Sequence, residues 1–235
     1  MTLEELLREG FDELSLPLDA AAPGRYRAYA DFLAEKNAVM NLTAIEGEEN
    51  VARLHFLDCA ALLTVFDLRG KSLIDVGTGA GFPGLALKIA CPSLSLTLLD
   101  SLDKRVGFLR ECCGRLGFED VRCVHARAEE APPEFRAAFD FAASRAVARL
   151  RVLCELCLPL VKKGGLFLAM KGPDCGEELD EAKTAIRLLG GEPERVIRYT
   201  IPGTEIAHAV IAIRKTADTP SRYPRPWAQI RKKPL

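Results

Sequence analysis

The segment best suited to binding a ligand is a run of glycines that follows a short apolar stretch. Residues 73–84 read Leu-Ile-Asp-Val-Gly-Thr-Gly-Ala-Gly-Phe-Pro-Gly, which places glycines at Gly77, Gly79 and Gly81. Glycine permits a positive φ angle and a close approach of the backbone to a ligand. A helical pattern begins after Pro83, and the free amides at a helix N-terminus suit a polar or anionic group. The segment therefore predicts a strand, a ligand-binding turn and a helix.

The spacing of the glycines indicates the kind of cofactor. A dinucleotide-binding turn has the pattern G-x-G-x-x-G, but Phe82 stands where its third glycine would be. The observed G-x-G-x-G resembles the first motif of Rossmann-like S-adenosylmethionine-dependent methyltransferases, in which the preceding acid, here Asp75, lies near the methionine end. Asp100 ends the next apolar run about twenty residues further on, as a ribose-binding acid should. The alternative is a turn that only allows tight packing of strand on helix.

Three further polar side chains are candidates for substrate contact. His55 and Asp58 are three residues apart in a predicted helix and therefore share a face. The alternative for His55 is a hydrogen-bonded packing role. Lys171 follows the predicted fifth strand, and its alternatives are phosphate contact and surface solvation.

The C-terminal segment is basic and rich in proline. Tyr223 and Trp227 interleave with its cations. Proline excludes regular structure, Lys and Arg neutralise phosphate, and aromatic rings stack on bases. The segment thus predicts nucleic-acid contact, with an ordinary solvated tail as the alternative. The candidate cations are Arg225, Arg231, Lys232 and Lys233.

The composition is that of a soluble globular protein. The chain has 235 residues, of which 49% are hydrophobic and 28% charged, and its net charge is −1. A nucleic-acid substrate therefore requires a local basic patch. No apolar run approaches the ~20 residues of a membrane span, and the acidic N-terminus lacks the features of a signal peptide. We expect a cytoplasmic protein whose eight cysteines are structural thiols, with no metal site.

The elements that position these residues alternate between strand and helix from residue 72 onward. The last two apolar runs are joined by a link too short for a crossover helix, so we expect an antiparallel hairpin. The predicted fold class is α/β, a Rossmann-like seven-stranded, mostly parallel sheet with an N-terminal helical cap. Strands are predicted at 73–76, 95–99, 121–125, 139–144, 165–170, 196–201 and 207–213, and helices at 2–14, 25–39, 48–66, 83–90, 103–116, 149–160 and 175–189.

This pattern divides the chain into three parts. Residues 1–66 are predicted to form a helical extension packed on the core, 67–215 the cofactor-binding core, and 216–235 the basic tail.

Taken together, the motifs resemble one family, the glucose-inhibited division protein B family, also called ribosomal small-subunit methyltransferase G. Its members are bacterial 16S ribosomal RNA guanine-N7 methyltransferases, and the resemblance runs from about residue 26 to the C-terminus. Two departures are the segment 226–231, where we expect a run of lysine, glycine and proline, and Cys59, where serine is more usual. The matching segments are Asn41-Leu42-Thr43, His55-Phe56-Leu57-Asp58, the run Asp75 to Gly84, the run Leu99 to Arg105, Ser144-Arg145-Ala146 and Lys171-Gly172.

The resemblance implies roles for individual residues. The turn would bind S-adenosylmethionine through Gly77, Gly79 and Phe82, while Asp100 and Ser101 would hold the ribose side. Ala128-Glu129 would contact the adenine. Arg145 would lie beside the cofactor and the reacting base.

The implied chemistry needs little from the protein beyond positioning. Guanine N7 has a free lone pair and no proton at neutral pH, so its attack on a methyl sulfonium requires no general base. Arg145 could donate to guanine O6 or to a phosphate. Its alternative is an ion pair with Asp140 or Glu129. The partner would be 16S ribosomal RNA or the 30S subunit, bound by a monomer.

Two other functions are compatible with the same motifs. The chain could be an S-adenosylmethionine-dependent methyltransferase of another substrate, or a non-catalytic RNA-binding protein of ribosome assembly. The intact glycine turn and Asp100 argue against the second of these.

Overall fold

The computed structural model describes residues 1–145 and 147–235 and contains a seven-stranded sheet with helices on both faces. Ala146, the last residue of the predicted Ser144-Arg145-Ala146 motif, lies outside the described residues. The strands are β1 (Ser72–Val76), β2 (Ser95–Asp100), β3 (Arg122–His125), β4 (Phe139–Arg145), β5 (Val161–Lys171), β6 (Gly191–Thr200) and β7 (Ala207–Lys215).

The strand order is β3-β2-β1-β4-β5-β7-β6, and β7 runs antiparallel to the other six strands. The predicted mostly parallel sheet with a terminal hairpin is confirmed. The chain builds outward from β1 to β3 and then returns to place β4 against the other side of β1. Ligands of open α/β sheets bind at such a reversal, outside the carboxyl ends of the strands.

Two strands begin earlier than the apolar runs predict. β6 starts at Gly191, within a polar segment that contains Pro193, because it is an edge strand with one partner and tolerates proline and charge. β5 starts at Val161 and continues through the exposed Lys162 and Lys163. Apolar patterning cannot detect these half-solvated ends.

Helices cover both faces of the sheet, and no described helix is long and apolar enough to cross a bilayer. Thr2 and Glu5 form a capping box at the start of the first helix, Leu3–Glu13. The α-helices are α1 (Leu3–Glu13), α2 (Ala22–Met40), α3 (Glu48–Val51), α4 (Asp58–Ala60), α5 (Gly84–Ala90), α6 (Asp103–Leu116), α7 (Leu150–Cys157), α8 (Gly176–Leu188) and α9 (Trp227–Lys232).

Alternate side chains along each strand supply two cores. Leu73 and Leu168 face a core that includes residues of α1, α2, α5 and α6, whereas Ile74 and Phe167 face one built with α7, α8 and the C-terminal segment. The N-terminal helices therefore share a continuous apolar core with one face of the sheet.

Two predicted segments differ from expectation. The segment predicted as one helix over 48–66 contains a π-helical turn, Ala52–Leu57, between α3 and α4. Turns of this kind occur often at functional sites. The prediction that proline excludes regular structure from the tail is wrong, because α9 begins directly after Pro226 and the prolines flank this helix instead of interrupting it.

Candidate functional site

A cavity of about 780 Å³ lies at the carboxyl ends of β1, β2, β4 and β5, at the reversal of strand order. It brings together residues that are far apart in sequence. The predicted site residues that line it are His55, Asp58, Gly77, Gly79, Phe82, Asp100, Ser101, Arg145 and Lys171. Among the described residues, the other predicted positions do not line it, namely Ala128, Glu129, Arg225, Arg231, Lys232 and Lys233.

The glycine turn has three residues with positive φ, and each faces different surroundings. Gly77, Gly79 and Gly81 have φ values of +70°, +60° and +104°. A Cβ atom on Gly77 would lie 2.7 Å from Cγ2 of Val147, and one on Gly81 would lie 2.5 Å from the hydroxyl of Tyr29. A Cβ on Gly79 would meet no described heavy atom within 4 Å. Gly79 is therefore the glycine whose backbone is open toward the cavity.

Asp75 organises the turn from beneath it. Its Oδ2 accepts hydrogen bonds from the hydroxyl of Thr78 at 2.7 Å and from the backbone N–H of Gly84 at 2.8 Å. Burial raises the pKa of this carboxyl to about 6. Among the described residues, Oδ1 has no hydrogen-bond partner. Asp75 thus fixes the turn and the start of α5 without lining the cavity itself.

Asp100 lies at the end of β2, against the glycine turn. Its Oδ2 accepts from the N–H of Gly79 at 2.9 Å and its Oδ1 from the N–H of Leu102 at 2.9 Å. Each carboxylate oxygen has a second lone pair. The side chain can therefore hold the turn and still accept hydrogen bonds from the hydroxyls of a ligand in the cavity.

Ala128 and Glu129 follow β3, the neighbour of β2. The N–H of Ala126 donates to the carbonyl of Asp100 at 3.1 Å, which ties this segment to the ribose-side acid. The Glu129 side chain is 4% exposed, and among the described residues its Oε1 has no hydrogen-bond partner. Contact of these two residues with adenine stays a prediction.

Arg145 is held from one side by three groups of the π-helical region. Its Nη1 donates to the carbonyl of Leu54 and to Oδ2 of Asp58, both at 3.1 Å, and its Nη2 donates to Nδ1 of His55 at 2.7 Å. The prediction that His55 and Asp58 share a face is confirmed, because both reach one guanidinium. The alternative pairing of Arg145 with Asp140 or Glu129 is wrong, since Asp140 instead binds Ser72 and Lys162, and the cation near Glu129 is Arg127.

These contacts determine the protonation state of His55. Arginine only donates, so Nδ1 of His55 accepts, and the ring proton lies on Nε2, which then donates to the hydroxyl of Thr43 at 2.9 Å. Burial, reinforced by the charge of Arg145, lowers the pKa of His55 to about 3. His55 is thus a neutral, doubly hydrogen-bonded residue, as its packing alternative required, and substrate contact by it stays a prediction.

The ring of Phe82 joins the glycine turn to this cluster. It stacks on His55 with a centroid distance of 4.1 Å and an interplanar angle of 10°, and the guanidinium carbon of Arg145 lies 5.0 Å from its centroid. It also stacks on Tyr29, whose hydroxyl donates to the carbonyl of Ala80 at 2.5 Å. The ring therefore couples the position of Arg145 to the turn.

Asp58 connects the helical segment to the terminal hairpin. It is fully buried, and its Oδ1 accepts from the hydroxyl of Tyr199 at 2.7 Å and is 2.8 Å from Nδ1 of His208. Burial opposes its ionisation, but the hydrogen bond from His208 and the charge of Arg145 outweigh burial and lower the pKa of Asp58. The same hydrogen bond raises the pKa of His208.

Sequence reasoning missed Tyr199 and His208. Both lie in predicted strands, and neither belongs to a recognisable motif. The available signal was a single histidine within the otherwise apolar run Ala207 to Ile213.

Lys171 is neither solvated nor free. Its Nζ donates to the carbonyl of Ala148 and to Oε1 of Glu178, both at 2.8 Å, and the side chain is 13% exposed. The solvated alternative is therefore wrong. Because Glu178 also accepts from the N–H of Leu150, the lysine helps to fix Ala148 and the start of α7. Phosphate contact by Lys171 stays a prediction.

The C-terminal segment packs on the face of the sheet that α7 covers. Arg225 donates through Nε and Nη2 to the carboxylate of the fully buried Glu155, at 2.8 and 2.6 Å. Arg136 donates to the carbonyls of Thr219 and Tyr223. The remaining predicted cations of this segment are exposed: Arg231, Lys232 and Lys233.

Comparison with known proteins identifies relatives over the whole chain. It is 45% identical over 238 residues to the ribosomal RNA small subunit methyltransferase G of Alkaliphilus oremlandii, covering 100% of both chains. It is 44% identical over 237 residues to the protein of that name from Acetivibrio thermocellus, covering 100% of this chain and 98% of the relative.

Solved structures show the same fold at low sequence identity. A SAM dependent methyltransferase from Aquifex aeolicus superposes with a TM-score of 0.52 at 20% identity, over 68% of this chain and 91% of the other. The geranyl diphosphate C-methyltransferase of Streptomyces coelicolor, crystallised with S-adenosyl-L-homocysteine, superposes with a TM-score of 0.53 at 13% identity. The superposition covers 67% of this chain and 78% of the other.

The family described as rRNA small subunit methyltransferase G (GidB) matches residues 24–206, a range that contains both the glycine turn and the Arg145 cluster. With the full-length relatives, this match shows that the chain belongs to the rRNA small subunit methyltransferase G family.

Proposed function

We propose that this protein transfers a methyl group from S-adenosylmethionine to N7 of a guanine in 16S ribosomal RNA. The proposal rests on one cavity in a chain of this family. The glycine turn and Asp100 form one part of the cavity wall, and Arg145 forms another. When bound, S-adenosylmethionine supplies a methyl group activated by its sulfonium sulfur.

The residues present fit this cofactor. Gly79 offers open backbone at the turn, and Asp100 keeps lone pairs for the ribose hydroxyls. Phe82 contributes an apolar surface at the turn. Glu129 lies outside the described cavity lining, with its Oε1 3.9 Å from Nη1 of Arg127, and its carboxylate oxygens are acceptors of the kind that an exocyclic amine such as that of adenine requires. Gly77 and Ser101 also line the cavity.

The reaction at guanine N7 does not need a proton acceptor. The nucleophile is a free lone pair, so the enzyme must orient the base and exclude alternative geometries, which can contribute several kcal/mol to catalysis. The polar groups around Arg145 agree with this requirement. His55 and Asp58 are committed to holding the guanidinium, so neither need act as a general base.

Arg145 is the residue that we assign to positioning the base. A guanidinium has five N–H donors, and the contacts with Leu54, His55 and Asp58 leave donors available. Guanine presents O6 beside N7 on one edge. A hydrogen bond from Arg145 to O6 would therefore fix the position of the neighbouring N7 within the cavity.

The substrate must present an accessible guanine. Bases in folded RNA are stacked, so an enzyme of this kind acts on loops or on nucleotides taken out of the stack. The exposed Arg231, Lys232 and Lys233 are candidates for phosphate contact outside the cavity. Lys171, at the cavity, is a candidate for phosphate contact if its ion pair with Glu178 opens.

The function can be tested in cells. Ribosomal RNA from cells that lack the protein should lose one 7-methylguanosine from 16S RNA, detected by mass spectrometry of the digested RNA. Expression of the wild-type chain should restore it, and Arg145→Ala should restore little. An unchanged 7-methylguanosine content after deletion would overturn the proposal.

A further inference from the structure

His208 differs from the other polar residues of the site because one of its ring nitrogens is uncommitted. It lies at the start of β7, lines the cavity, and has a side chain that is 34% exposed. Its Nδ1 is 2.8 Å from Oδ1 of Asp58. Among the described residues, Nε2 has no hydrogen-bond partner, whereas both ring nitrogens of His55 are occupied.

The neighbours of His208 establish which nitrogen carries a proton. Asp58 is ionised, because its carboxylate also receives hydrogen bonds from Tyr199 and Arg145. Nδ1 of His208 therefore donates. The hydrogen bond to Asp58 favours a second proton on Nε2 and raises the pKa of His208, while the charge of Arg145 opposes it.

The charged and titratable groups around this ring come from several elements. Asp58 belongs to α4, Arg145 to β4 and Tyr199 to β6, and Lys171 at the end of β5 lines the same cavity. Asp58 is the carboxylate between Arg145 and His208. With His208 protonated, the three groups carry a net positive charge on the cavity wall, which favours an anionic or electron-rich partner.

We propose that His208 is a substrate-contacting residue of the methyl transfer, whose Nε2–H donates a hydrogen bond to an acceptor oxygen of the target nucleotide. The assignment rests on the proposed function. The acceptor is either guanine O6 or a phosphate oxygen, and both suit a cationic N–H donor. Asp58 thereby orients two donors at once, Arg145 and His208, toward one cavity.

The decisive variant is His208→Asn, because the amide nitrogen of asparagine can replace Nδ1 as the donor to Asp58 while nothing replaces Nε2. The matched control is Tyr199→Phe, which removes another donor to the same Asp58 oxygen and leaves the described cavity lining unchanged. Steady-state methylation of 16S RNA and of 30S subunits is measured from pH 6 to 9, and cofactor affinity is measured by calorimetry.

We expect His208→Asn to raise KM for RNA roughly 10-fold or more, the loss of one hydrogen bond from a charged donor. Its cofactor Kd should equal that of the wild type. KM of the wild type should rise with pH as the imidazolium loses its proton, and this dependence should vanish in His208→Asn but persist in Tyr199→Phe. The slope of log K for RNA binding against log salt concentration identifies the acceptor. A slope smaller in magnitude by about one in His208→Asn than in the wild type indicates a phosphate oxygen, and an unchanged slope indicates O6.

Two results overturn the assignment alone. One is that the wild type is active and that His208→Asn has the same KM and the same pH profile as the wild type. The other is a Tyr199→Phe variant that loses the pH dependence as completely as His208→Asn, which would show that His208 acts only through Asp58. A wild type inactive on both RNA substrates, with normal cofactor binding, would instead overturn the proposed function and this assignment with it.

Discussion

At the level of single residues, the side chains of the site fix one another's positions through hydrogen bonds and ring stacking. Arg145 is fixed by Asp58 and His55, and Phe82 joins them to the glycine turn. Removing one partner of a buried charged pair typically costs about 3–5 kcal/mol, because the other charge is left uncompensated. Substitutions here therefore change both stability and activity, and informative variants must separate the two.

Gly79 and Gly81 offer such a separation. Gly79→Ala should cost about 1 kcal/mol from its positive φ, lowering Tm by roughly 2–4 °C, but should weaken cofactor binding at least about tenfold because the methyl group enters the cavity. Gly81→Ala also clashes with the buried Tyr29 hydroxyl and should lower Tm further. Calorimetry and thermal unfolding test both variants. Normal cofactor affinity in Gly79→Ala would contradict the assignment of the turn.

His55 gives a pH signature of stability. Its folded pKa of about 3 lies below its unfolded value, so the unfolded chain binds the extra proton between these values and stability falls as pH decreases below about 6.5. Asp75, whose folded pKa is raised to about 6, acts in the opposite direction below that pH. A comparison of wild type with His55→Gln isolates the histidine.

The stability advantage of the wild type over His55→Gln should therefore shrink by roughly 1.4 kcal/mol per pH unit as the pH falls from 6.5 toward 4. Urea unfolding at several pH values measures it. A pH-independent difference would show that His55 is not held neutral in the folded protein.

At the level of helices and strands, the sequence patterns predicted those elements whose structure depends on a short segment alone. The glycine turn follows a strand and precedes a helix, and Asp100 ends the next strand, so short segments sufficed to identify them. The contact between Asp58 and His208 joins residues 150 positions apart on a helical segment and a terminal hairpin. Without knowledge of how β7 inserts beside β5, no local pattern could pair them. The polar start of β6 and the π-helical turn were missed for the related reason that tertiary contacts determine them.

The tail illustrates a different limit of sequence reasoning. Its cations read as one basic patch, but Arg225 pairs with the buried Glu155, whereas Arg231, Lys232 and Lys233 are exposed. Residue type alone could not distinguish a structural arginine from a solvent-facing one. Neutralising all four together would therefore mix two effects.

Arg225→Ala should destabilise the protein by about 3–5 kcal/mol, since it leaves the Glu155 carboxylate buried without its cation. The triple variant Arg231→Gln, Lys232→Gln, Lys233→Gln should leave stability within about 0.5 kcal/mol of the wild type and should weaken RNA binding. Denaturant unfolding and RNA binding at two salt concentrations separate the variants. Unchanged RNA binding in the triple variant would remove these residues from the RNA contact surface.

At the scale of the whole molecule, the N-terminal helices and the sheet share one core. Leu3, Leu7 and Phe11 of α1 belong to the same apolar cluster as Leu73 of β1, and Tyr29 of α2 hydrogen-bonds to the glycine turn. The predicted boundary at residue 66 therefore lies within a continuous packing unit. Loss of the helices should reach the cofactor site through Tyr29.

Leu7→Ala should accordingly lower the free energy of unfolding by about 2–5 kcal/mol and shift one cooperative transition. Leu188→Ala, at an exposed position, serves as the control and should change little. Near- and far-UV circular dichroism should give the same midpoint for each variant. An early separate transition in Leu7→Ala, with the remaining signal unchanged, would show that the helices form an independent unit.

Methyl transfer to guanine N7 can be measured in vitro with 30S subunits and with free 16S RNA that lack the modification. With labelled S-adenosylmethionine, the wild type should label one guanine at N7 in at least one of the two substrates, as mapped by digestion and mass spectrometry, and Arg145→Ala should label it far more slowly. Label at another atom, at another class of nucleotide or in neither RNA, from protein that binds the cofactor, would contradict it.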